Sequence, residues 1–198
     1  GCSLLYQVTF ESPSFIKLIN EGTFQDCSSL VQISLPSSVT SIERCAFYGC
    51  RSLIQVDIPS SVTSIKEAAF QRCFSLIKIT IPSFVISIEK YAFCQCTSLI
   101  KVTFEKPASI KLIQEKSFQT CTNLTQIIIP SSVTEIESYA FNECKQLNQV
   151  SFEASSSLQI LKSNSFIGCS SLLQISVPNK GVQIEKSALP SFTKIIKI

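Results

Sequence analysis

Cysteine is the residue type with the most chemistry to offer in this chain, and its spacing is regular. Ten cysteines and no histidine occur among the 198 residues. Without histidine, neither a Ser-His-Asp nor a Cys-His catalytic arrangement can form, and histidine-ligated metal sites are excluded. Cysteines alone could still form disulfides or bind a metal. Eight of the ten occupy one position of a repeat, 23 or 25 residues apart: Cys2, Cys27, Cys50, Cys73, Cys96, Cys121, Cys144 and Cys169.

The regular spacing favours packing over disulfide chemistry. In stacked parallel coils, equivalent Cβ atoms lie about 4.8 Å apart with parallel vectors, whereas a disulfide needs about 3.5–4.5 Å. A buried thiol packs as a small apolar group. We therefore expect a ladder of buried free thiols, with disulfides as the alternative. Cys45 and Cys94 lie off the ladder and are the candidates for reactive thiols, and Cys94-Gln95-Cys96 alone is weak evidence for a metal. We predict no catalytic, cofactor or metal site.

Other residue types repeat in phase with the cysteines. A phenylalanine stands three residues before each cysteine after the first: Phe24, Phe47, Phe70, Phe93, Phe118, Phe141 and Phe166. A leucine stands three residues after each: Leu5, Leu30, Leu53, Leu76, Leu99, Leu124, Leu147 and Leu172. One coil reads C-x-x-L-x-x-[IV]-x-[ILVF]-P-x-x-V-x-x-I-x-x-x-[AST]-F-x-x. Repeats of this length indicate a solenoid, in which stacked coils share one core.

The spacing within a coil predicts its elements. The alternating segment L-x-x-I-x-I predicts a strand with one face inward, and the proline after it ends the strand. The segment V-x-x-I predicts a short strand or extended turn on the opposite wall, and F-x-x-C a tight or 3₁₀-like turn. The 25-residue coils replace the proline by Glu11, Glu105 or Glu153 and add two residues. The fold predicted is a β-rich solenoid of about eight coils, with residues 1–198 forming one domain.

The two ends of the sequence interrupt the repeat. The chain begins at a repeat cysteine, the pattern frays after Ile184, and Ile195 and Ile198 still fit strand positions. We therefore expect a segment of a longer array. The end coils would expose apolar residues and strand edges, which favours weak end-to-end self-association.

The residue two after each repeat leucine is glutamine or lysine, and its phase is opposite to that of the inward residues. A polar surface of Gln, Lys and hydroxyl side chains should result, and solenoids often bind through such a face. The candidate ligand-binding residues are Gln32, Gln55, Asp57, Lys78, Lys101, Gln126 and Gln149. The alternative is a solvated face whose glutamines hydrogen-bond along the stack.

The residue one after the repeat leucine is often apolar: Val31, Ile54, Ile77, Ile100 and Leu173. An exposed stripe of this kind could be an adhesive patch. Strict alternation would instead turn these side chains inward, so we expect them to pack at the edge of the core.

The net charge and the hydropathy of the chain limit the classes of partner that it is expected to bind. The net charge is +3, from 17 basic and 14 acidic residues, which is too small to favour nucleic acid or an anionic membrane. No stretch approaches the roughly 20 apolar residues that span a bilayer. We expect neither a nucleic-acid partner nor direct membrane insertion by this segment, in which no signal peptide is visible.

The sequence resembles the BspA-like leucine-rich repeats. The resemblance rests on L-P-S-S-V-T-S-I-E at residues 35–43, followed by Ala46-Phe47 and Cys50, and on the near-copies at 58–65 and 129–134. It implies a cell-surface or secreted adhesin that contacts proteins or glycans of host matrix, host cells or other microbes. The alternative is an intracellular scaffold or interaction module, which a ladder of free thiols favours.

Overall fold

The structure is a computed structural model, and it describes residues 2–178 and 181–197. The chain forms a parallel β-solenoid of about eight turns, and the described residues contain no α-helix, so the predicted fold class is confirmed. Each turn contributes one longer and one shorter strand to opposite walls. The predicted tight turn at F-x-x-C is present, with the N–H of Cys50 donating to the carbonyl of Phe47 over 3.2 Å.

The short strands form one continuous eight-stranded parallel sheet in register. Its strands are β1 Leu18–Ile19, β3 Ser41–Ile42, β5 Ser64–Ile65, β7 Ser87–Ile88, β9 Leu112–Ile113, β11 Glu135–Ile136, β13 Ile160–Leu161 and β15 Gln183–Ile184.

The longer strands on the other wall fall into three hydrogen-bonded groups, β2 with β4, β6 through β12, and β14 with β16. They are β2 Gln32–Ser34, β4 Gln55–Asp57, β6 Lys78–Ile81, β8 Lys101–Phe104, β10 Gln126–Ile129, β12 Gln149–Phe152, β14 Gln174–Val177 and β16 Lys194–Lys197.

A stack of phenyl rings runs through the core between the two walls. The seven repeat phenylalanines are stacked from Phe24 to Phe166, with neighbouring ring centroids 5.0–5.3 Å apart. Six of them, from Phe47 onward, are fully buried, as are most repeat leucines. Because each ring packs on the next, every internal coil depends on both neighbours for its burial.

Charged residues on the turns pair between coils, as opposite signs at equivalent positions suggest. The side chains of Lys66 and Glu89 form an ion pair at 3.1 Å, and Lys162 pairs with Glu137 at 2.8 Å. Such partly exposed surface pairs contribute little stability. They do mean that these lysines are already engaged with acids of this chain.

Candidate functional site

The outward side of the longer strands, here called the strand face, carries the predicted candidate residues. Inward and outward residues alternate, so that in β6 Ile79 and Ile81 are buried while Lys78 and Thr80 are exposed. All seven candidates point out of the core: Gln55 is half-buried, and the others are exposed. The predicted phase of the strand face is therefore correct.

The parallel register brings the candidates into two groups. Gln32 is aligned with Gln55 in the β2–β4 pair. Lys78, Lys101, Gln126 and Gln149 are aligned across β6, β8, β10 and β12. The two groups are separated where β4 and β6 lack ladder hydrogen bonds. We find no feature of these two 23-residue coils that explains that interruption.

The carboxylate of Asp57 is hydrogen-bonded to two neighbouring side chains of the strand face. Its carboxylate accepts hydrogen bonds from Ser34 Oγ at 2.7 Å and from Gln55 Nε2 at 2.8 Å. Among the described residues, Gln55 and Gln149 of this row donate along their own strands to Asp57 and Ser151, and no glutamine of the row bonds to another along the stack. By contrast, Lys78 and Lys101 form no ion pair with any described residue. They leave two adjacent ammonium groups free to meet an anionic partner.

Four of the five apolar residues beside this row are exposed, so for these four the prediction that they pack inward is wrong. We call Val31, Ile54, Ile77, Ile100 and Leu173 the edge stripe. Ile54, Ile77, Ile100 and Leu173 are 42%, 42%, 47% and 68% exposed, and Val31 is half-buried. Leu53 and Val56 both point into the core, so two residues must turn outward between them and alternation breaks. The stripe residues from Val31 to Ile100 are joined through their backbones, with the N–H of Ile77 donating to the carbonyl oxygen of Ile54 at 3.2 Å.

The strand ladder opens beside each 25-residue coil. Gln7 and Gln32 form a single bridge, β8 and β10 pair only at Lys101 and Gln126, and β12 and β14 have no ladder pairing. Clefts of about 490, 230 and 570 Å³ lie at these three places. They are lined in part by Phe10, Phe104 and Phe152 respectively, each the residue before the glutamate that replaces proline.

The glutamates of the two later insertions close the preceding turn. A Glu153 carboxylate oxygen accepts the backbone N–H of Ser131 at 3.0 Å, and Glu105 accepts that of Ser83 at 3.4 Å. Hydrogen bonding to Lys106, and then to the N–H of Ser131, lowers the pKa of Glu153. The replacement of proline by glutamate therefore provides an anionic acceptor for the neighbouring coil.

The ladder cysteines from Cys27 onward are buried free thiols, as predicted, whereas Cys2 is exposed because no described coil covers it. Burial raises the pKa of Cys50 to about 12 and the pKa of Cys73 and Cys96 well above the ordinary value. Such thiols hold too little thiolate to react.

Cys94, which lies off the ladder, is also buried, and its pKa is raised to about 11. The prediction that Cys94 is a candidate reactive thiol is therefore wrong.

The part of the chain that the structure describes gives no support for a membrane-spanning helix or a metal site. No helix there is long and apolar enough to cross a membrane. No cluster of three or more Cys, Asp or Glu side chains in residues 2–178 and 181–197 could hold a metal ion. What the strand face offers chemically is hydrogen-bonding groups, two free cations and apolar surface.

A parallel solenoid with an inward leucine every coil and a polar outward strand face defines a leucine-rich repeat protein. More narrowly, the chain belongs to the BspA type leucine-rich repeat family. The model of that family, described as "BspA type Leucine rich repeat region", matches six copies within residues 17–116 and 103–198. No curated protein matches the chain.

Solved structures of bacterial leucine-rich repeat proteins resemble the chain. One from Eubacterium ventriosum has 26% identity and a TM-score of 0.72, covering 85% of this chain and 44% of its own. A leucine-rich cell surface protein from Faecalibacterium prausnitzii has 25% identity and a TM-score of 0.58, covering 98% and 68%. One from T. pallidum has 27% identity and a TM-score of 0.57, covering 95% and 77%. The chain thus spans less than half of the Eubacterium protein.

Proposed function

We propose that this chain is a non-enzymatic binding module that works outside the cell, on the cell surface or after secretion. Its strand face attaches to proteins or glycans of the host matrix, of host cells or of other microbes. The observation on which the proposal rests is the juxtaposition of free Lys78 and Lys101 with exposed Ile77 and Ile100 in two adjacent coils.

These four residues combine two properties of binding surfaces. Exposed apolar side chains in contiguous rows are typical of interaction sites. Unpaired lysines speed and orient association with an acidic partner. The patch lies near the middle of the described array, where the side chains of greatest energetic effect tend to cluster in an interface. The extracellular location is supported by the Faecalibacterium relative, which is described as a cell surface protein.

The test is adhesion of beads coated with the 198-residue chain to immobilised matrix proteins and to cultured host cells. Replacing both Lys78 and Lys101 by Glu should leave folding unchanged, because both side chains point away from the core. We expect adhesion to fall by about tenfold or more at low salt and by less at high salt, since the contribution is electrostatic.

The matched control is the double substitution of Lys17 and Lys111 by Glu. Both lysines are exposed, neither forms an ion pair with a described residue, and both precede short strands. The net charge changes by the same amount. Lys66 and Lys90 would be poor controls because they pair with Glu89 and Glu115. Equal loss of adhesion in both doubles, or none in either, would mean that the strand face is not the binding surface.

An intracellular scaffold is the second candidate, and the buried free thiols favour it because cytosolic proteins keep cysteines reduced. Their burial and raised pKa would protect most of them outside the cell as well. The location of the full-length protein separates the two candidates. Protease treatment of intact cells should remove the repeat region if it is displayed outside, and leave it whole if it is intracellular.

A further inference from the structure

The cleft between β8 and β10 lies where two neighbouring strands of the strand face part after a single pair. These strands share the pair Lys101 and Gln126 and then separate. Beyond that point β8 remains paired with β6, up to Ile81 and Phe104, while β10 pairs with β12, up to Ile129 and Phe152. The two strands thus part toward their carboxyl ends, ahead of the two-residue insertion that follows β8.

The lining of this cleft is apolar where the surrounding surface is polar. Phe104, half-buried, and Ile127 form part of its walls. Ile128 stands on its rim and is 58% exposed. The residues at the equivalent position in the neighbouring strands of this sheet are hydroxyl-bearing: Thr80, Thr103 and Ser151. An exposed isoleucine in a hydroxyl row gives this cleft an apolar rim that the adjacent coils lack.

Charge is distributed unevenly around the cleft. At its far end Lys106 and Glu153 neutralise each other in an ion pair at 2.9 Å. The carboxylate of Glu105 is turned toward Ser83 of the preceding coil. At the near end Lys101 lines the cleft, Lys78 is aligned with it in β6, and neither is paired with a described acid. The uncompensated charge at the entrance is therefore positive.

The size of the cleft indicates what could enter it. Its volume of about 230 Å³ is below the roughly 300–1,000 Å³ of pockets that hold whole small molecules. A single large apolar side chain is a closer match. Such a side chain would come from a segment that lies across the strand face, and an acidic residue beside it would meet Lys101 and Lys78.

We propose that the β8–β10 cleft is an anchor pocket for one apolar side chain of an extended, acidic segment of a protein partner. The inference rests on the proposed function and specifies its partner. The apolar side chain contacts Phe104 and Ile128, and neighbouring carboxylates pair with Lys101 and Lys78. The edge stripe, with Ile77 and Ile100, borders the same two lysines on their other side.

The probes are three fluorescein-labelled synthetic peptides. The first is a short run of Asp and Glu with one central phenylalanine, the second has serine in place of the phenylalanine, and the third has lysine in place of the acids. Fluorescence anisotropy measures their binding to the 198-residue chain. We expect the acidic phenylalanine peptide to bind at least about tenfold more tightly than either of the others, since both contacts contribute.

The decisive variant is Ile128→Thr, which restores the hydroxyl type of its row. It should weaken the acidic phenylalanine peptide by about five- to tenfold, as expected for losing part of an apolar contact. The matched control is Ile86→Thr: Ile86 is 59% exposed, and threonine stands at the same place in other coils, at Thr63 and Thr134. That control should change binding by less than about twofold.

The outcomes separate the pocket from the binding face. Loss of binding in Ile128→Thr but not in Ile86→Thr supports the anchor pocket. Equal binding of the phenylalanine and serine peptides, or no effect of Ile128→Thr, overturns it, and binding by charge alone would then point to an acidic glycan or an unanchored peptide. Absence of binding by every peptide also overturns it. The bead-adhesion result for the Lys78 and Lys101 double variant judges the proposed function separately.

Discussion

The Sγ–H of Cys96 donates a hydrogen bond to the carbonyl oxygen of Phe70, 26 residues earlier in the chain, over 3.2 Å. The same bond is made by Cys50, Cys73, Cys121, Cys144 and Cys169, at 3.0–3.3 Å. Each of these phenylalanine carbonyls also accepts the backbone N–H of the cysteine three residues after it, as Phe70 does from Cys73. The thiol ladder therefore ties successive turns together and satisfies the second acceptor position of each carbonyl.

Thiol titration of the native chain should find two classes of cysteine. Cys2, which is exposed, and Cys45, which is half-buried, should react first with a thiol reagent. The other eight are buried, and they should react only after unfolding, when all ten become accessible without a reductant. Mass spectrometry after partial labelling identifies the sites. Rapid native labelling of Cys96, or three or more disulfides, would contradict the buried ladder.

Replacing Ser117 by Ala should stabilise the fold. Ser117 occupies the small-residue position before a repeat phenylalanine, and its buried Oγ has no hydrogen-bond partner. Other coils have alanine there, including Ala92 and Ala140. Removing an unsatisfied buried hydroxyl should raise the free energy of unfolding by about 1–3 kcal/mol. Urea denaturation of the parent and of Ser117→Ala measures this change in the free energy of unfolding.

Ser165 provides the matched control because it occupies the same position. Its Oγ donates to the carbonyl of Ala188 at 3.3 Å. Ser165→Ala should therefore gain less than Ser117→Ala, or lose stability. Equal gains from both substitutions would show that the partner of the hydroxyl is unimportant.

The features that could be predicted from the sequence are those that recur with the period of the repeat. Burial of Phe93, Leu99 and Cys96 and the outward phase of Lys101 follow from positions that recur in every coil. The edge stripe could not be predicted from alternation, because Ile100 lies at a corner before its strand. The β8–β10 cleft depends on how two coils of different length align, which composition and spacing within one coil do not reveal.

The backbone conformation of the turns could not be predicted from the sequence either. Most coils contain two residues with positive φ, one before the cysteine and one two positions before the phenylalanine. Glycine, the usual signal of this conformation, occurs there only as Gly22, Gly49 and Gly168 in the part of the chain that the structure describes. The remaining positions are held by residues such as Thr120 and Tyr139, which give no turn signal.

Replacing Thr120 by Gly should therefore stabilise the chain. Thr120 has φ 59°, which is unfavourable for a β-branched residue, and Gly49 and Gly168 occupy the equivalent position. After the entropy of glycine in the unfolded state is subtracted, we expect a gain of about 0.5–1 kcal/mol. The reciprocal change Gly49→Thr should destabilise the chain, because Gly49 has φ 70° and the added Cβ would also require the Asp26 carboxylate to move. Thermal unfolding compares the two, and opposite signs are required.

The 198-residue chain should self-associate weakly through its end coils. Val8 and Phe10 at one end are only partly buried, and Ile195, aligned with buried Ile175, is 44% exposed. Ile198 lies outside the described residues. Charged substitution at Val8 or Ile195 should reduce association in sedimentation experiments, whereas the same change at exposed Ile86 should not. A strictly monomeric chain at high concentration would rule this contact out.

The stability of the chain should fall in acid partly through Glu153. Its ion pair with Lys106 and its hydrogen bond from Ser131 lower its pKa in the folded chain below the ordinary value of 4.5. The folded state therefore binds the proton less readily than the unfolded state, and Glu153 stabilises the fold above the unfolded pKa. That contribution is lost as the pH falls through the folded pKa. Glu153→Gln removes the ionisation, so the variant should be less stable than the parent at neutral pH and nearly equal to it in strong acid.

Urea denaturation at several pH values tests this prediction. Between about pH 6.5 and about pH 3, the free energy of unfolding of Glu153→Gln should fall less steeply than that of the parent, because one carboxylate with a lowered pKa is missing. Glu11→Gln is the control, since Glu11 occupies the equivalent place in the first 25-residue coil and is exposed. It forms no ion pair with a described residue, so its curve should follow that of the parent. If the curves of Glu153→Gln and the parent are parallel over this range, the carboxylate does not hold the turn, and the far end of the β8–β10 cleft is closed by packing alone.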